Sequence, residues 1–368
     1  MPHVEFVVPD LGYTAAARQV SLIAPALRDR DWTREVFPLT RAGRAGPFTG
    51  PLRASEVTVL ESTARSFLRW FGLRYVVPTP GRGLVHAFGL PALRRLWAGT
   101  LGARRPPIVL SLTGREQFRW LDRRCLRIVN RVLVPHPHAA DALVRQGIPA
   151  GRVGVIPPAV GEPPPPPDRE AVLRPLGIPP GGPLIVTVGS MPDRLRLLGA
   201  VWVFEFIRYP HEDAHMLLVG AGAGRADLEA TARGVAPEGS RVHFLGERAD
   251  APALAGLADV VLVPHPAGGA NATLEAMAAG RAVVAANTPD LAAVIRDGET
   301  GRLFPPDDAV AAARAVRQLL LDPAERRRLG EAAQAFARER HQVATVVQML
   351  ETVYGEEFNS TRSGLWTE

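Results

Sequence analysis

Lysine is absent from this sequence, and cysteine occurs only once. All 43 basic side chains are therefore arginines, which together with the abundant Ala, Gly and Pro indicates a GC-rich bacterial genome. The net charge of +6 is spread along the chain, whereas a nucleic-acid partner normally requires a clustered basic surface. The single cysteine, Cys125, excludes an intramolecular disulfide and a multi-cysteine metal site, and its apolar neighbours predict a buried side chain.

Long apolar runs are also missing. No run approaches the roughly 20 residues that are needed to span a bilayer, and no signal peptide precedes the strand-like VEFVV near the N-terminus. The sequence has neither a His-Cys cluster nor a paired-carboxylate cluster, so a metal hydrolase is disfavoured. These absences predict a cytoplasmic protein that needs no metal.

The pattern that is present is an alternation of short apolar runs with amphipathic stretches. This pattern is typical of parallel strands joined by helices, and 368 residues are too many for one ordinary core. A run of five prolines at residues 163–167 forms a stiff spacer. We therefore predict an α/β protein with two doubly wound parallel-sheet domains facing a cleft, over residues 1–162 and 168–340. Residues 341–358 are predicted to form a helix that returns to the first domain, with a frayed tail after Gly355.

Residues 257–285 form the most informative segment, LADVVLVPHPAGGANATLEAMAAGRAVVA. It predicts a buried strand, a Gly-rich loop, a helix from Thr273 to Gly280 and a second strand. A helix that begins after a Gly-rich loop presents unpaired backbone N–H groups and a positive dipole end, which suit a phosphate group.

This segment resembles the donor site of the retaining GT-B glycosyltransferases, the group 1 family that includes bacterial mannosyltransferases and sucrose synthases. The runs VVPDLGYTAAARQVSLIAPAL, RVLVPHPHAADALVRQGIPAGRVGVIPPAV and LIVTVGS resemble other family segments in the same order along the chain. The resemblance implies two Rossmann-like domains and transfer of a sugar from a nucleotide-diphosphate sugar with retention of configuration. It implies no metal and no cofactor other than this co-substrate.

On the donor side, the resemblance assigns Glu275 to the ribose hydroxyls. Arg196 takes the position of the family's diphosphate-binding Lys, with Arg194 close enough to replace it, and an Arg clamps phosphate well. The other residues implied in donor binding are Gly189, Ser190, Gly268, Gly269, Asn271, Ala272, Thr273 and Leu274.

Several positions depart from the family pattern. The first of two family glutamates is replaced by Ala267, the family's cleft His by Thr113, and its first cation by Ser190. A turn that usually holds two glycines reads Thr14-Ala15, although Gly12 can still serve that loop. These departures keep open a second hypothesis, a catalytically silent homologue that binds nucleotide or acts as a scaffold. His265 is a weaker catalytic candidate because an isolated His is more often structural.

The acceptor side is assigned to Gly12, Thr113 and His86, which the resemblance places at a strand end facing the cleft. The acceptor itself, a sugar, a lipid or a small molecule, is left open. Residues 65–71 and 94–97 combine arginines with apolar side chains, so a peripheral membrane contact is a further hypothesis beside ordinary helix packing.

A rival motif occurs at residues 220–224, where GAGAG follows a strand and precedes a helix, with Glu247 at the end of the next strand. This arrangement imitates a dinucleotide fingerprint and keeps an oxidoreductase as an alternative. The motif lies in the middle of a domain and not in its first strand–helix–strand unit, which favours the glycosyltransferase interpretation.

Overall fold

The fold is described from a computed structural model. The structure describes residues 2–30, 32–39, 46–60, 82–100, 104–113, 115–189, 194–220, 222, 224–235, 241–264 and 269–362.

The strands of the described residues are short, and in chain order they are β1 (His3–Val8), β2 (Thr33–Pro38), β3 (Thr58–Val59), β4 (Gly83–Phe88), β5 (Ile108–Ser111), β6 (Arg131–Val134), β7 (Val153–Val155), β8 (Leu184–Val188), β9 (His215–Val219), β10 (Val242–Gly246), β11 (Val260–Val263), β12 (Ala282–Ala286) and β13 (Arg302–Phe304).

The α-helices of the described residues follow the strands in alternation: α1 (Ala15–Ala26), α2 (Thr49–Ala54), α3 (Gly89–Gly99), α4 (Trp120–Cys125), α5 (Pro137–Arg145), α6 (Arg169–Leu173), α7 (Arg194–Arg208), α8 (Arg225–Val235), α9 (Ala251–Ala255), α10 (Gly269–Ala278), α11 (Pro289–Ala292), α12 (Ala309–Leu321), α13 (Pro323–His341) and α14 (Val343–Arg362).

The chain forms two compact units. Unit 1 comprises Met1–Ala159 and Val343–Glu368, and unit 2 comprises Val160–Gln342. The proline run, predicted as a spacer, lies within unit 2, where a Cβ added at Gly256 would stand 3.7 Å from the Cβ of Pro166.

Unit 1 contains a parallel sheet with the strand order β3-β2-β1-β4-β5-β6-β7. Successive side chains of a strand point to opposite faces. Phe6 and Val8 of β1 accordingly enter the core cluster that includes α1 and α14, whereas Val7 enters a second cluster with Leu93 of α3. Both faces of this sheet are therefore covered.

Helix α14 is longer than the sequence predicts. It continues to Arg362, so the expectation that the chain frays after Gly355 is wrong. The reason is packing: the ring of Phe358 lies 6.5 Å from that of Trp32, and Glu357 pairs with Arg131 at 3.0 Å. These contacts hold the last turns of the helix in unit 1.

Unit 2 contains a parallel sheet with the order β10-β9-β8-β11-β12-β13. The apolar runs at residues 184–188, 215–219, 260–264 and 282–285 predict strands, and β8, β9, β11 and β12 lie within a residue of these bounds. Apart from Thr187 and His215 their residues are apolar, as is usual for a sheet buried on both faces. Two doubly wound α/β units confirm the predicted fold class.

Two strands escape prediction from sequence. β2 reads TREVFP, in which charged residues break the apolar run, and β13 has only three residues. Each forms because a neighbouring strand supplies backbone partners in parallel register, β1 for β2 and β12 for β13. Their existence depends on the sheet rather than on their own composition.

Candidate functional site

The strand order of unit 2 locates its ligand-binding edge. From β8, the chain adds β9 and β10 on one side and then returns to place β11, β12 and β13 on the other. Connections therefore leave the carboxyl ends of β8 and β11 in opposite directions, and a crevice forms at such a switch point. The helices that follow these two strands are α7 and α10.

Helix α10 presents one polar side. Ala272, Leu274 and most of the other residues are buried, whereas Asn271 and Glu275 are only half-buried. These two side chains are four residues apart and therefore lie on the same face, one turn apart. Each has a polar or electrostatic partner within the protein. The helix thus carries an amide and a carboxylate together close to its N-terminal end.

The C-terminal end of α10 is capped by backbone hydrogen bonds. Gly280 has φ +68°, and the N–H groups of Gly280 and Arg281 donate to the carbonyls of Met277 and Ala276. A Cβ at Gly330 of α13 would overlap the Gly280 carbonyl, so the two helices make backbone contact there. This close packing fixes the position of the helix that carries Glu275.

Helix α10 begins at Gly269, four residues before its predicted start at Thr273. The unpaired N–H groups of a helix belong to its first turn, which here is formed by Gly269, Ala270 and Asn271. Thr273 and Leu274 lie deeper in the helix and are fully buried, and their donor-binding roles stay predictions. The early start follows from the small residues GANA, which allow the turn to form.

The predicted cations belong to the first turn of the other switch-point helix. Arg194 is the first residue of α7, and Arg196 follows in the same turn. The side chains of these arginines lie outside the described residues. Ser190, His265, Ala267 and Gly268 also lie outside them, which leaves their predicted roles as predictions.

Three glycines line the carboxyl edge of this sheet on adjacent strands. Gly189 follows β8, Gly220 follows β9, and Gly246 ends β10. The Gly189 N–H donates to the carbonyl of Val219 at 3.0 Å, and the Gly220 N–H donates to that of Gly246 at 2.8 Å. A Cβ at Gly220, whose φ is +146°, would overlap the Gly189 carbonyl. The backbones of the strand ends are therefore closely packed at Gly189 and Gly220, which are half-buried, whereas Gly246 is buried and a Cβ there would stand 3.0 Å from Arg225 Nη1.

The sequence contains a signal for this row that the predictions do not use. The three strands end as VTVG, LLVG and HFLG, so an apolar strand followed by glycine repeats three times. Gly189 is predicted individually at this edge, whereas Gly220 and Gly246 lie in the runs LLVGAGAGRADLEA and VHFLGE, which resemble the nucleotide-base side of the family's site. Gly220 also belongs to the rival dinucleotide fingerprint. That fingerprint belongs after the first strand of a Rossmann unit, whereas Gly220 follows the second strand of this one, so the oxidoreductase alternative loses its support.

The switch point of unit 1 lies between β1 and β4. The loop that follows β1 there is held by hydrogen bonds among its own residues. Asp10 Oδ1 accepts from the Gly12 N–H at 2.9 Å and from the Thr14 hydroxyl at 3.3 Å. Thr14 Oγ1 in turn accepts from the Ala17 N–H, which caps α1. Thr14 therefore has a structural role at the position where the family usually has glycine.

His86 is a core residue, which corrects the expectation that it faces a cleft. It is 1% exposed; its Nδ1 lies 2.5 Å from Tyr354 Oη and its Nε2 lies 2.8 Å from Ser111 Oγ. Burial lowers the pKa of His86 to about 3, so the ring is neutral. Its position follows from strand alternation, because β4 turns Leu84, His86 and Phe88 toward the face covered by α14.

This arrangement reveals two residues that sequence reasoning missed. Tyr354 lies 268 positions from His86 and meets it only because α14 returns to unit 1. Ser111 ends β5 and is half-buried, so a hydrogen-bonded chain connects α14 with the carboxyl edge of the sheet. Near the same edge, Thr113 donates its hydroxyl to Glu116 at 2.9 Å.

In the predicted membrane-contact segment at residues 94–97, Arg94 is exposed and Arg95 and Trp97 are half-buried. Leu96 is buried, and Arg94 donates to the buried Asp122 at 2.7 Å. Residues 65–71 lie outside the described residues. In the part of the chain that the structure describes, no helix is both long enough and apolar enough to cross a membrane. Cys125 is buried, as predicted.

The sequence of unit 2 matches a known family. Residues 182–322 match the model of Glycosyl transferases group 1. The phosphatidyl-myo-inositol mannosyltransferase of Mycobacterium leprae is 35% identical over 147 residues, which are 39% of this chain and 38% of that protein. The D-inositol 3-phosphate glycosyltransferase of Salinispora tropica is 39% identical over 128 residues, 34% of this chain and 26% of that protein. The matches thus span about two fifths or less of each relative.

Solved structures extend the similarity of fold to nearly the whole chain. Anabaena HepE in complex with UDP-glucose has a TM-score of 0.80 at 21% identity, covering 97% of this chain and 100% of that one. Sucrose-phosphate synthase from Thermosynechococcus elongatus has a TM-score of 0.80 at 20% identity, covering 98% and 100%. The sequence of residues 182–322 thus resembles Glycosyl transferases group 1, and nearly the whole chain shares the fold of these solved structures.

Proposed function

We propose that this protein transfers a sugar from a nucleotide-diphosphate sugar to an acceptor, with retention of anomeric configuration. The observation that carries the proposal is helix α10, which begins at the switch point of unit 2 and presents Asn271 and Glu275 on one half-buried side. The structure of HepE with UDP-glucose, and the mannosyltransferase and glycosyltransferase names of the relatives, support the same donor class.

In this proposal Glu275 accepts hydrogen bonds from the two ribose hydroxyls. A carboxylate has two oxygens that accept from adjacent hydroxyls, and a half-buried position strengthens these bonds relative to water. The close packing of α10 on α13 holds the carboxylate in place before the nucleotide arrives. The half-buried glycines Gly189 and Gly220 at this edge carry no side chain that would hinder the approach of the nucleotide.

The diphosphate is held by the N-terminal ends of two helices. The first turns of α7 and α10 supply unpaired N–H groups and positive dipole ends. We assign Arg196, with Arg194 beside it, to neutralise the departing diphosphate, and Gly268, Gly269 and Ser190 to its backbone contacts. These cations fill the role that a metal ion has in other transferases, so we propose metal-independent transfer.

During transfer, the bond between the anomeric carbon and the diphosphate oxygen breaks, and the acceptor oxygen bonds on the same face of the sugar. The acceptor proton passes to the departing phosphate oxygen. We assign the acceptor, a sugar, a lipid or a small molecule, to the carboxyl edge of the unit 1 sheet, near Gly12 and Thr113. His86 acts there only through Ser111, whose hydroxyl it holds.

One set of observations favours a second candidate, a silent nucleotide-binding homologue. Thr14 uses its hydroxyl to cap α1 and Thr113 uses its own to bond Glu116, so neither is a free replacement for the family residue at its position. Ala267 has no polar group to contact the sugar ring. Loss of one preorganised polar contact typically lowers kcat by about 10²–10³-fold.

Calorimetric titration with UDP, GDP, ADP and TDP tests the donor site. We expect saturable binding of one nucleotide, and a loss of at least about ten-fold in its affinity for Glu275→Ala, since a charged hydrogen bond contributes about 1.5–3 kcal/mol. Glu299→Ala, which removes an exposed glutamate paired with Arg296, is the matched control. Equal affinity in the wild type and Glu275→Ala would remove Glu275 from the site.

Hydrolysis of the corresponding nucleotide sugar separates the two candidates, because water can replace an unknown acceptor. Turnover by the wild type supports the transferase. Binding without turnover, followed by a gain in turnover for Ala267→Glu, supports the silent homologue.

A further inference from the structure

Strand β5 ends in a serine at the carboxyl edge of the unit 1 sheet. Alternation along β5 turns Val109 and Ser111 toward the face that α1 and α14 cover, whereas Leu110 enters the core cluster on the other face. Ser111 is half-buried, and β4 beside it turns His86 toward the same face. The serine hydroxyl is thus the outer end of the hydrogen-bonded chain that begins at Tyr354.

The direction of the hydrogen bonds in this chain is determined at its inner end. Tyr354 is fully buried, and among the described residues its hydroxyl has no hydrogen-bond partner except Nδ1 of His86, at 2.5 Å. A buried O–H group without an acceptor costs the full desolvation free energy of that group. The tyrosine hydroxyl therefore donates to Nδ1, and the neutral ring carries its own proton on Nε2.

The proton on Nε2 of His86 decides what Ser111 can do. Nε2 lies 2.8 Å from Ser111 Oγ and donates to it, so the serine oxygen accepts and its own proton is left for another acceptor. In the described part of the chain, this hydroxyl makes no other hydrogen bond. Because Ser111 is only half-buried, its O–H group is available to a ligand at the carboxyl edge of the sheet.

The same residues have the composition of a nucleophilic serine with an activating histidine, but the direction of the hydrogen bonds excludes that function. A general base needs a free lone pair on Nε2 to take the serine proton. Here the lone pair of the ring faces Tyr354, and burial lowers the pKa of His86 to about 3, which makes the ring a poor base. The chain is therefore a series of donors that ends in the serine O–H group.

The cost of this arrangement inside the core indicates that it has a use. His86 packs between Phe6 and Phe88, whose ring centres lie 5.7 and 4.4 Å from its own, and an apolar side chain would fill such a place without needing hydrogen bonds. Replacing two buried polar partners by apolar groups of the same shape is often neutral or stabilising. A donor at the carboxyl edge of a parallel sheet, where doubly wound domains bind their ligands, provides the use.

We propose that Ser111 is a contact residue of the acceptor site, where its hydroxyl donates a hydrogen bond to an oxygen atom of the acceptor. His86 and Tyr354 are positioning residues, since they act only through the serine. Hydrogen bonds in series polarise one another, so the last O–H group of the chain is a stronger donor than an isolated hydroxyl. The identification of the ligand as a sugar acceptor rests on the proposed function, whereas the direction of the hydrogen bonds does not.

Nitrogen-15 NMR of histidine-labelled protein tests the direction of the chain. We expect a proton on Nε2 of His86 and none on Nδ1, and the ring signal that shifts in Ser111→Ala assigns this residue. Tyr354→Phe removes the donor to Nδ1, so we expect the other tautomer, to which Ser111 donates, to become populated. Trp32→Phe is the matched control, because it changes a ring 5.6 Å from that of Tyr354 and leaves the tyrosine hydroxyl in place.

Titration with glycerol, glucose and inorganic phosphate tests the site itself, because these probes offer both hydroxyl and anionic oxygens. We expect at least one probe to shift the signals of the His86 ring and the Ser111 amide in a saturable way. Ser111→Ala is expected to weaken that binding by about 2- to 10-fold, the range of one hydrogen bond, and Tyr354→Phe by a smaller factor. Ser111→Thr keeps the hydroxyl and is expected to keep the affinity.

The control for these titrations is Ser55→Ala, which removes an exposed hydroxyl bonded to the Pro51 carbonyl and is expected to leave probe binding unchanged. Circular dichroism of each variant verifies that it is folded.

Four results would overturn the inference. They are a wild-type proton on Nδ1 of His86, an absence of any response of the His86 and Ser111 signals to the three probes, equal affinity in the wild type and Ser111→Ala, and equal effects of Tyr354→Phe and Trp32→Phe. None of these measurements uses a nucleotide sugar. A protein that binds no nucleotide but shows the expected tautomer and probe binding would therefore contradict the proposed donor and leave the Ser111 site in place.

Discussion

Both units have a doubly wound parallel sheet, but the segments at the carboxyl ends of their strands differ. In unit 1, the first loop is occupied by its own side chains: Asp10 binds Gly12 and Thr14, and Thr14 caps α1. In unit 2, the corresponding edge carries the glycines Gly189, Gly220 and Gly246, and backbone hydrogen bonds join Gly189 to Val219 and Gly220 to Gly246.

The comparison extends to the match with known proteins, which covers residues 182–322 and thus lies within unit 2. The two units also differ in the ionisable groups that their cores contain. Unit 1 encloses ionisable groups in mid-strand, Glu5 and His86, whereas the buried Glu205 of unit 2 is ion-paired. The match to the family model therefore lies in the unit whose sheet carries the row of glycines.

The largest expected effect tests the two glycine positions. Gly220→Ala in unit 2 introduces a Cβ that overlaps the Gly189 carbonyl at a φ of +146°. We expect a loss of about 3 kcal/mol or more in the free energy of unfolding, together with loss of nucleotide binding.

Gly12→Ala in unit 1 is the matched change, since its Cβ would lie 3.2 Å from Asp10 Oδ1. We expect a loss below about 1 kcal/mol, measured for both variants by urea unfolding. Equal losses of unfolding free energy for the two variants would show that a glycine is no more strictly required at Gly220 than at Gly12.

The next effect concerns the buried acid of unit 1. Both Glu5 oxygens lack a hydrogen-bond partner, and burial, followed by the charge of Glu35, raises the pKa of Glu5 to about 9 from 4.5. Between these pH values the folded protein keeps a proton that the unfolded chain has released. The free energy of unfolding therefore falls as the pH rises through this window.

Glu5→Gln removes the titration, so we expect it to stabilise the protein at pH 8 by at least about 2 kcal/mol and to flatten the pH dependence of stability. Glu205→Gln in unit 2 is the contrasting change. It breaks the ion pair with Arg208 and is expected to destabilise the protein. Thermal unfolding between about pH 5 and pH 9 measures both, and stabilisation by both changes would contradict the contrast.

A smaller effect tests the hydrogen-bonded chain of side chains in unit 1, which runs from Tyr354 through His86 to Ser111. Tyr354→Phe removes the hydroxyl that lies 2.5 Å from the buried His86. We expect a loss of about 1–2 kcal/mol, because a buried nitrogen loses its partner. Tyr13→Phe, at a 41% exposed ring, is the control and changes stability by less than about 0.5 kcal/mol. A neutral result for Tyr354→Phe would mean that the chain does not stabilise unit 1.

The smallest effect is at the first helix cap. Thr14→Ala removes the oxygen that accepts from the Ala17 N–H, and we expect a loss of about 1 kcal/mol. Thr14→Gly restores the glycine that the family pattern has there and is expected to lose only a few tenths of a kcal/mol. Urea unfolding measures both, and unchanged stability of Thr14→Ala would show that the hydroxyl does not stabilise the helix.

Much of the fold could be predicted, because the strands of a parallel sheet that is buried on both faces are short apolar runs. Such runs can be recognised from the local sequence alone. The predicted strands at residues 184–188 and 215–219 have the bounds that the structure shows. β2 and β13 could not be predicted, since a charged or three-residue segment becomes a strand only beside a partner.

The candidate site could be predicted only in part. The sequence assigned donor-binding roles to Glu275 and Arg196, which stay predictions. It placed the start of α10 four residues late and turned His86 toward a cleft. Both errors concern the direction or depth of a side chain within an element whose existence was predicted.

The sequence by itself determined the class of the fold and the order of its donor-site elements, because strand hydrophobicity and glycine placement are local properties of the chain. Only the tertiary structure decided that Tyr354 meets His86 and that Thr14 closes its own loop. It also decided that Trp202, Phe206 and Tyr209 stay exposed on α7. Such facts depend on which helix covers which face of a sheet, and that choice is made by packing between residues far apart in the chain.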